Sequence, residues 1–178
     1  MTPVDQTLTR DQRDTIVRWK LGHHAFHAYL TGMNTTFEVA ISSARRREWS
    51  LLAASLRELA QLCDAATSSM KYASDFPSEL YEELIRPSMM PPFLSPAFSG
   101  ELNRDHTTMM DSIKVLRRDM REIESLEDGA PEVVWQGWSE FKAAAARNRK
   151  HHMLVCEKFV EGGVSLVRDF YEEQGTEE

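Results

Sequence analysis

A long helical pattern covers residues 10–46, which read RDQRDTIVRWKLGHHAFHAYLTGMNTTFEVAISSARR. Apolar side chains recur there with spacings of three, four or seven residues: Ile16, Trp19, Phe26, Leu30, Met33, Phe37, Ile41 and Ala44. This spacing places them along one face of an α-helix. Thr9 stands just before the stretch, where its hydroxyl can cap the first turn. The pattern therefore predicts one long amphipathic helix that must bury its apolar face.

Three further stretches show the same periodicity and predict long helices over 49–73, 100–127 and 132–172. A short helix is expected over 78–85. Residues 86–98 carry four prolines and several large apolar side chains, which predicts a crossover loop that covers one end of the domain, as a plug or as a lid. Residues 1–9 and 174–178 are expected to be flexible. We predict a single all-α domain over 1–178, an antiparallel bundle of four long helices.

The composition narrows the class of protein. Of the 178 residues, 42% are hydrophobic and 28% are charged, which is typical of a soluble globular domain. The formal net charge of −7 argues against a general nucleic-acid binder and against docking on anionic membranes. The absence of a secretory signal and of a long apolar run predicts a cytoplasmic protein. We expect a small-molecule substrate as its partner, with a homodimer as an open option.

Four histidines lie on or beside the predicted apolar faces. His23 and His27 are one turn apart on the first helix, His106 is on the third long helix and His152 is on the last. If the helices alternate in direction, a rise of about 1.5 Å per residue places all four at one level, roughly 30 Å from the end where the first helix meets the second. We therefore expect these four side chains to converge. A lone buried histidine, by contrast, is usually a hydrogen-bonded core residue.

Neutral imidazole is a common ligand of transition metals, and a pair of histidines spaced i, i+4 presents two nitrogens on one helix face. The pattern predicts a divalent metal ion held by the four histidines, with iron favoured and copper, manganese or zinc as alternatives. His106 and Asp105 are the candidate catalytic residues. Asn148 is expected to orient a ligand, and Cys156 or a carboxylate to complete the site. Small side chains on the second helix, near Ser69 and Met70, are expected to leave room for a substrate or a flat cofactor.

A metal-dependent oxidoreductase acting on a small molecule is the leading hypothesis. In a second hypothesis no metal is present, and His106 and His152 act as acid and base in an isomerase, cyclase or lyase. In a third, the bundle binds heme between two facing histidines, or binds a protein partner, without catalysis.

The segment from His24-Ala-Phe26 to Leu30-Thr-Gly32 resembles the opening of heme-oxygenase-like helical enzymes, some of which hold two irons. The number of histidines is similar to that of metal-binding bundles of the DinB type. In the DinB pattern the i, i+4 pair lies on the last helix, whereas here it lies on the first, so no residue role is transferred from that family.

Overall fold

The computed structural model of the chain describes residues 8–94 and 103–160. Their helices, in chain order, are α1 (Arg10–Arg46), α2 (Trp49–Ala73), α3 (Ser78–Leu80), a π-helical turn (Tyr81–Ile85), α4 (Arg86–Ser88), α5 (Arg104–Glu124) and α6 (Glu132–Phe159). The predicted all-α helical bundle is confirmed. No helix in these two ranges is long and apolar enough to cross a membrane.

The first two helices have the predicted bounds. The Thr9 hydroxyl accepts a hydrogen bond from the backbone N–H of Gln12, and the Gln12 side chain accepts one from the backbone N–H of Thr9. This reciprocal cap satisfies two N–H groups that have no partner within the helix. At the other end Arg47 adopts a left-handed conformation with φ 57°. Its backbone turns there, and α2 begins two residues later.

The other two long helices are shorter than predicted. Helix α5 begins at Arg104 rather than at 100, because the Asn103 side chain accepts from the backbone N–H groups of Asp105 and His106 and so caps the helix there. Helix α6 does not continue to 172. It ends at Phe159, after which Val160 is extended. Residues 100–102 and 161–172 lie outside the described residues. So do residues 1–7 and 174–178 of the two predicted flexible ends.

The proline-containing segment begins with an unpredicted helical turn, α4, which Pro87 tolerates because the first turn of a helix needs no N–H donor there. Met89 then packs in a buried cluster with Phe76, Tyr81 and Phe159. This part of the segment is a plug. Residues 95–98 lie outside the described residues.

Contacts between the long helices give their directions. Asn34 contacts Asp105 and Arg45 contacts Asp119, so α1 and α5 run parallel. Helices α2 and α6 also run parallel, as shown by the contacts Asp64–Arg147 and Ser74–Lys158. Helix α1 packs antiparallel on α2 along its length, whereas in the described part of the chain α5 and α6 do not pack closely on each other.

Two apolar clusters occupy the bundle. The larger is built around the buried side chains Leu30, Phe37, Leu52, Leu56, Leu59, Leu116, Met120, Val134 and Phe141. The smaller closes the opposite end, where α1 begins and α6 ends, and contains Phe76, Tyr81, Ile85, Met89 and Phe159. The four predicted site histidines lie on the helices between these clusters.

Candidate functional site

Within residues 8–94 and 103–160 the bundle is open along one side. No side chain of α5 is buried between 104 and 115, and none of α6 is buried between 145 and 158. We call the facing sides of these two stretches the α5/α6 seam. Large apolar side chains are exposed in both stretches, with Met110 at 42%, Leu154 at 48% and Met153 at 61%. Met110, one turn after His106, shares its side of α5, whereas Leu154, two residues after His152, lies on the other side of α6.

His106 and His152 lie on opposite sides of this seam. Desolvation lowers the pKa of His152 below the usual 6.5, and the charge of His106 lowers it further. The two imidazoles are therefore within electrostatic range of each other. A lowered pKa keeps His152 neutral at physiological pH, which is the form that has a lone pair for a metal ion or for a proton. The prediction that these two helices present their histidines to one another is consistent with this placement.

His152 is more exposed than its predicted place on an apolar face implies, whereas its neighbour His151 is half-buried. The reason is that α5 does not cover this part of α6. Cys156 lies one turn further on, with its sulfur 3.9 Å from Nδ1 of His152. Burial raises the pKa of the Cys156 thiol, and the charge of Glu157 adds to this effect, so it is held in the protonated form.

His23 belongs to the end of the bundle rather than to the seam. Its Nδ1 lies 2.7 Å from the carbonyl oxygen of Trp19, which can only accept, so Nδ1 donates. The two rings are also in contact, with 4.1 Å between centroids and their planes tilted by 42°. Desolvation lowers the pKa of His23, the Trp19 hydrogen bond partly opposes this, and the charge of His24 lowers it again. The spacing in the sequence could not distinguish this core histidine from a ligand.

His27 faces α5 but pairs with a carboxylate. Its Nε2 lies 3.8 Å from Oδ2 of Asp105, and the two side chains are 56% and 47% exposed. The backbone carbonyl of the same aspartate accepts a hydrogen bond of 3.0 Å from Asn34 Nδ2. Asn34 was not among the predicted site residues. Its position seven residues after His27, on the same helix face, was the signal that could have identified it.

The predicted four-histidine metal group is not formed among the described residues. Within 8–94 and 103–160, no three His, Cys, Asp or Glu side chains are placed to hold a metal ion together. The common level of the histidines was estimated from helix lengths alone, which gives height but not rotation about each helix axis. Of the four, His106 and His152 share the seam, while His23 and His27 make the separate contacts described above.

The space expected beside the second helix is filled. The backbone of α1 at Gly22 lies so close to α2 that a Cβ there would be 2.9 Å from the Ser69 carbonyl oxygen and would overlap Ala73. The Ser69 hydroxyl donates to the carbonyl of Ala66 within its own helix. The small residues near Ser69 and Met70 therefore permit close helix packing, which is the other common use of small side chains.

Asn148 links two helices. Its Nδ2 donates to the Thr67 hydroxyl at 3.0 Å and to the Cys63 carbonyl at 3.4 Å, and so ties α6 to α2. One residue earlier, Arg147 forms a two-pronged ion pair with Asp64. These contacts fix α6 at the level of the seam, since His152 lies one turn beyond Asn148. Asn148 therefore supports His152 only through the helix backbone.

Comparison with known proteins gives three matches. Residues 1–133 match the family described as SfmD 3-methyl-L-tyrosine peroxygenase. The chain is 29% identical over 148 residues to the 3-methyl-L-tyrosine peroxygenase of Streptomyces lavendulae, an alignment that covers 83% of this chain and 39% of that protein. The family match includes His106 and Asp105, and His152 lies beyond its end.

A solved structure described as reduced SfmD, obtained by soaking with sodium hydrosulfite, has the same fold over much of this chain. The TM-score is 0.58 at 27% identity, and the match covers 82% of this chain and 46% of that one. The chain thus spans less than half the length of both relatives.

Proposed function

Because the chain belongs to the family of SfmD 3-methyl-L-tyrosine peroxygenases, we propose that it forms part of a heme-dependent oxidoreductase that acts on a small aromatic molecule. The α5/α6 seam is the proposed heme site. The observation that carries this proposal is the placement of His106 and His152 on opposite sides of an open, apolar seam.

Heme suits this donor set better than a bare metal ion. A porphyrin supplies four nitrogens to its iron, so the protein needs only one or two axial ligands. A mononuclear site without porphyrin usually needs three protein ligands or more. The described residues offer two imidazoles at the seam and no group of three. Iron, the metal favoured from the sequence, is retained in this proposal as heme iron.

The surroundings also suit a flat apolar ring. Met110 is exposed one turn after His106, and covering it would remove apolar surface from water at a gain of about 25 cal/mol per Å². Asn148 and Arg147 fix the height of α6, so the ring of His152 is presented from a supported helix. These contacts limit the reorganisation that heme binding requires.

We assign different roles to the two histidines. His152 binds the iron, because its lowered pKa keeps the imidazole neutral and its lone pair available. His106, on the opposite side, accepts a proton at its imidazole nitrogen and returns it, as a general acid–base residue. When bound, heme iron supplies the oxidative chemistry by which a peroxygenase transfers an oxygen atom from a peroxide to an organic substrate.

The substrate class is proposed from the relatives. The Streptomyces lavendulae relative is named a 3-methyl-L-tyrosine peroxygenase, and the solved structure is that of SfmD, after which the family is named. We therefore propose that the substrate is a phenolic amino acid of the tyrosine type. Asp105, predicted as catalytic, is adjacent to His106 in the chain, but its carboxylate faces His27. We therefore give it no proton-transfer role in this proposal.

The test combines reconstitution with turnover. The protein is loaded with hemin and supplied with hydrogen peroxide and L-tyrosine or 3-methyl-L-tyrosine, and products are followed by mass spectrometry. We expect a product one oxygen atom heavier. His106→Ala should bind hemin with unchanged stoichiometry yet lose at least about 100-fold in rate. His24→Ala, an exposed histidine on α1, is the matched control and should keep full activity.

Other results would favour the alternatives. Hemin binding without oxidation of any phenol would indicate a non-catalytic heme-binding bundle. Stoichiometric iron, copper, manganese or zinc in protein without porphyrin, measured by mass spectrometry, would favour the bare-metal site. Metal-free activity lost in His106→Ala would favour acid–base catalysis.

A further inference from the structure

The first half of α5 is packed less deeply than its second half. Between 104 and 115 Met109 and Ile113 are only partly buried against the core, whereas the second half fully buries Leu116, Met120 and Ile123. A less deeply packed half-helix is expected to open more easily than a fully packed one. The polar contacts that join it to α1 therefore contribute a larger share of what holds it in position.

Those contacts meet at one residue. Asn34 of α1 donates through Nδ2 to the backbone carbonyl of Asp105, at 3.0 Å. His27, two turns earlier on the same face of α1, lies 3.8 Å from the Asp105 carboxylate. The backbone N–H of Asp105 is in turn bonded to the cap residue Asn103, at 2.9 Å. Both backbone polar groups of Asp105 are therefore hydrogen-bonded, the carbonyl to Asn34 and the N–H to Asn103. The next residue in the chain is His106.

The Asn34 amide has a defined orientation. With Nδ2 against the Asp105 carbonyl the contact is a hydrogen bond, whereas the flipped amide would set two oxygens against each other. The Oδ1 atom of Asn34 is buried and has no hydrogen-bond partner. A buried acceptor without a partner costs free energy. The amide is kept in this orientation because its N–H group contributes the hydrogen bond to α5.

We propose that Asn34 is a positioning residue, which sets the height and rotation of His106 relative to His152 through its hydrogen bond to Asp105. Asn34 acts through the backbone of α5 and not on an imidazole. The inference rests on the proposed function for its catalytic consequence, but the mechanical part of it does not depend on heme. His27 adds an exposed and therefore weak contact to the Asp105 carboxylate.

The first experiment measures amide hydrogen exchange of the protein without heme. In Asn34→Ala the exchange of residues 106–115 should become about five- to tenfold faster, as expected for the loss of one hydrogen bond. Residues 116–123 should be unchanged, because their packing is unaltered. Alanine is the better helix former, so α1 itself is not weakened. Thr35→Ala, which removes an exposed hydroxyl bonded only within α1, is the matched control.

A second variant and a second readout make the result decisive. Asn34→Leu, of similar size and without a donor, should reproduce the exchange pattern. In hemin-loaded protein, both variants should lower kcat for peroxide-driven oxidation about tenfold, with unchanged hemin affinity, since His152 lies on α6. Unchanged exchange in 106–115, a uniform increase over the whole bundle, or an equal loss of hemin affinity would each overturn the positioning role. Failure of the wild-type protein to bind hemin would refute the proposed function, while the exchange data would still decide the role of Asn34.

Discussion

The two antiparallel helix pairs of this bundle differ in how closely they pack. Helices α1 and α2 are in contact along their length, and at Gly22 their backbones approach so closely that no side chain fits between them. Helices α5 and α6 are joined at one end by the turn at 125–131 and stay apart at the other. The first pair is a scaffold, and the second presents His106 and His152 to an open seam.

The same contrast appears within the contact between α1 and α5. At one end Arg45 Nε donates to Oδ2 of Asp119 at 2.9 Å, and the aspartate side chain is only 6% exposed. Four helical turns away, about 21 Å along α5, the second aspartate of that face is Asp105, which is half exposed. At one end of α5 the aspartate side chain is buried, and at the other end it is exposed to solvent. His106 lies at the solvent-exposed end.

The largest expected effect concerns the closed pair. Gly22→Ala should lower the free energy of unfolding by about 3 kcal/mol, because its Cβ would overlap Ala73 and force α1 and α2 apart. Gly32→Ala is the control. Its Cβ would meet only the Leu62 side chain at 3.7 Å, so it should raise stability by up to about 1 kcal/mol through helix propensity. Urea unfolding of the two variants measures both values. Equal effects would contradict the close approach at Gly22.

Asp119 and Asp105 allow a matched comparison of the buried and the exposed end of α5. Asp119→Asn should cost about 2 kcal/mol, because it removes the charge of a buried carboxylate that binds both Arg45 and Arg118. Asp105→Asn should cost less than about 0.5 kcal/mol, since its pair with His27 is exposed. Thermal and urea unfolding check this order. Similar costs would mean that the two ends are equally closed.

A third prediction concerns pH. The pKa of His23 is lowered in the folded protein, so at mildly acidic pH the unfolded chain binds more protons than the folded one. Stability is therefore fully present above the unfolded pKa near 6.5 and decreases as the pH falls below it. His152, with its lowered pKa, contributes in the same direction. His23→Gln should flatten the fall in unfolding free energy between pH 7 and pH 5. An unaltered slope in His23→Gln would contradict the burial of that ring.

The smallest expected effect is a slower alkylation of Cys156 when heme covers the seam. Cys63 is buried and its pKa is raised to about 11, so it should react slowly with iodoacetamide in every state. Cys156 is only partly buried and lies beside His152, so it should be alkylated first. Bound hemin should slow the alkylation of Cys156 several-fold by covering the seam. Peptide mass spectrometry measures both rates, and equal Cys156 rates with and without hemin would place heme elsewhere.

The sequence predicted what depends on periodicity. The bounds of α1 and α2 follow from apolar spacing, the Thr9 cap and the short break at Arg47, and all of these are local. The end of α6 could not be predicted in this way. Its last residue, Phe159, packs against Phe76 and Tyr81, which are distant in the chain, so no local pattern marks this position.

The candidate site was predicted in part for the same reason. Level along the bundle follows from helix length, and it predicted one level for His106 and His152, whose rings lie close enough to interact electrostatically. Rotation about the helix axis follows from packing, which turned His23 into the end cluster and left the seam open. The role of Ser69 and its small neighbours depended on the approach of Gly22, which no pattern within α2 reveals.

The central claim is that the open seam binds heme through His152, with His106 on the other side. Absorption and electron paramagnetic resonance spectra recorded during a hemin titration test it most directly. We predict one hemin per chain and a predominantly high-spin ferric signal, retained in His106→Ala and His24→Ala and lost in His152→Ala. A low-spin signal that becomes high-spin in His106→Ala would show that both histidines bind the iron, and equal hemin affinity of the wild type and His152→Ala would contradict the seam as the heme site.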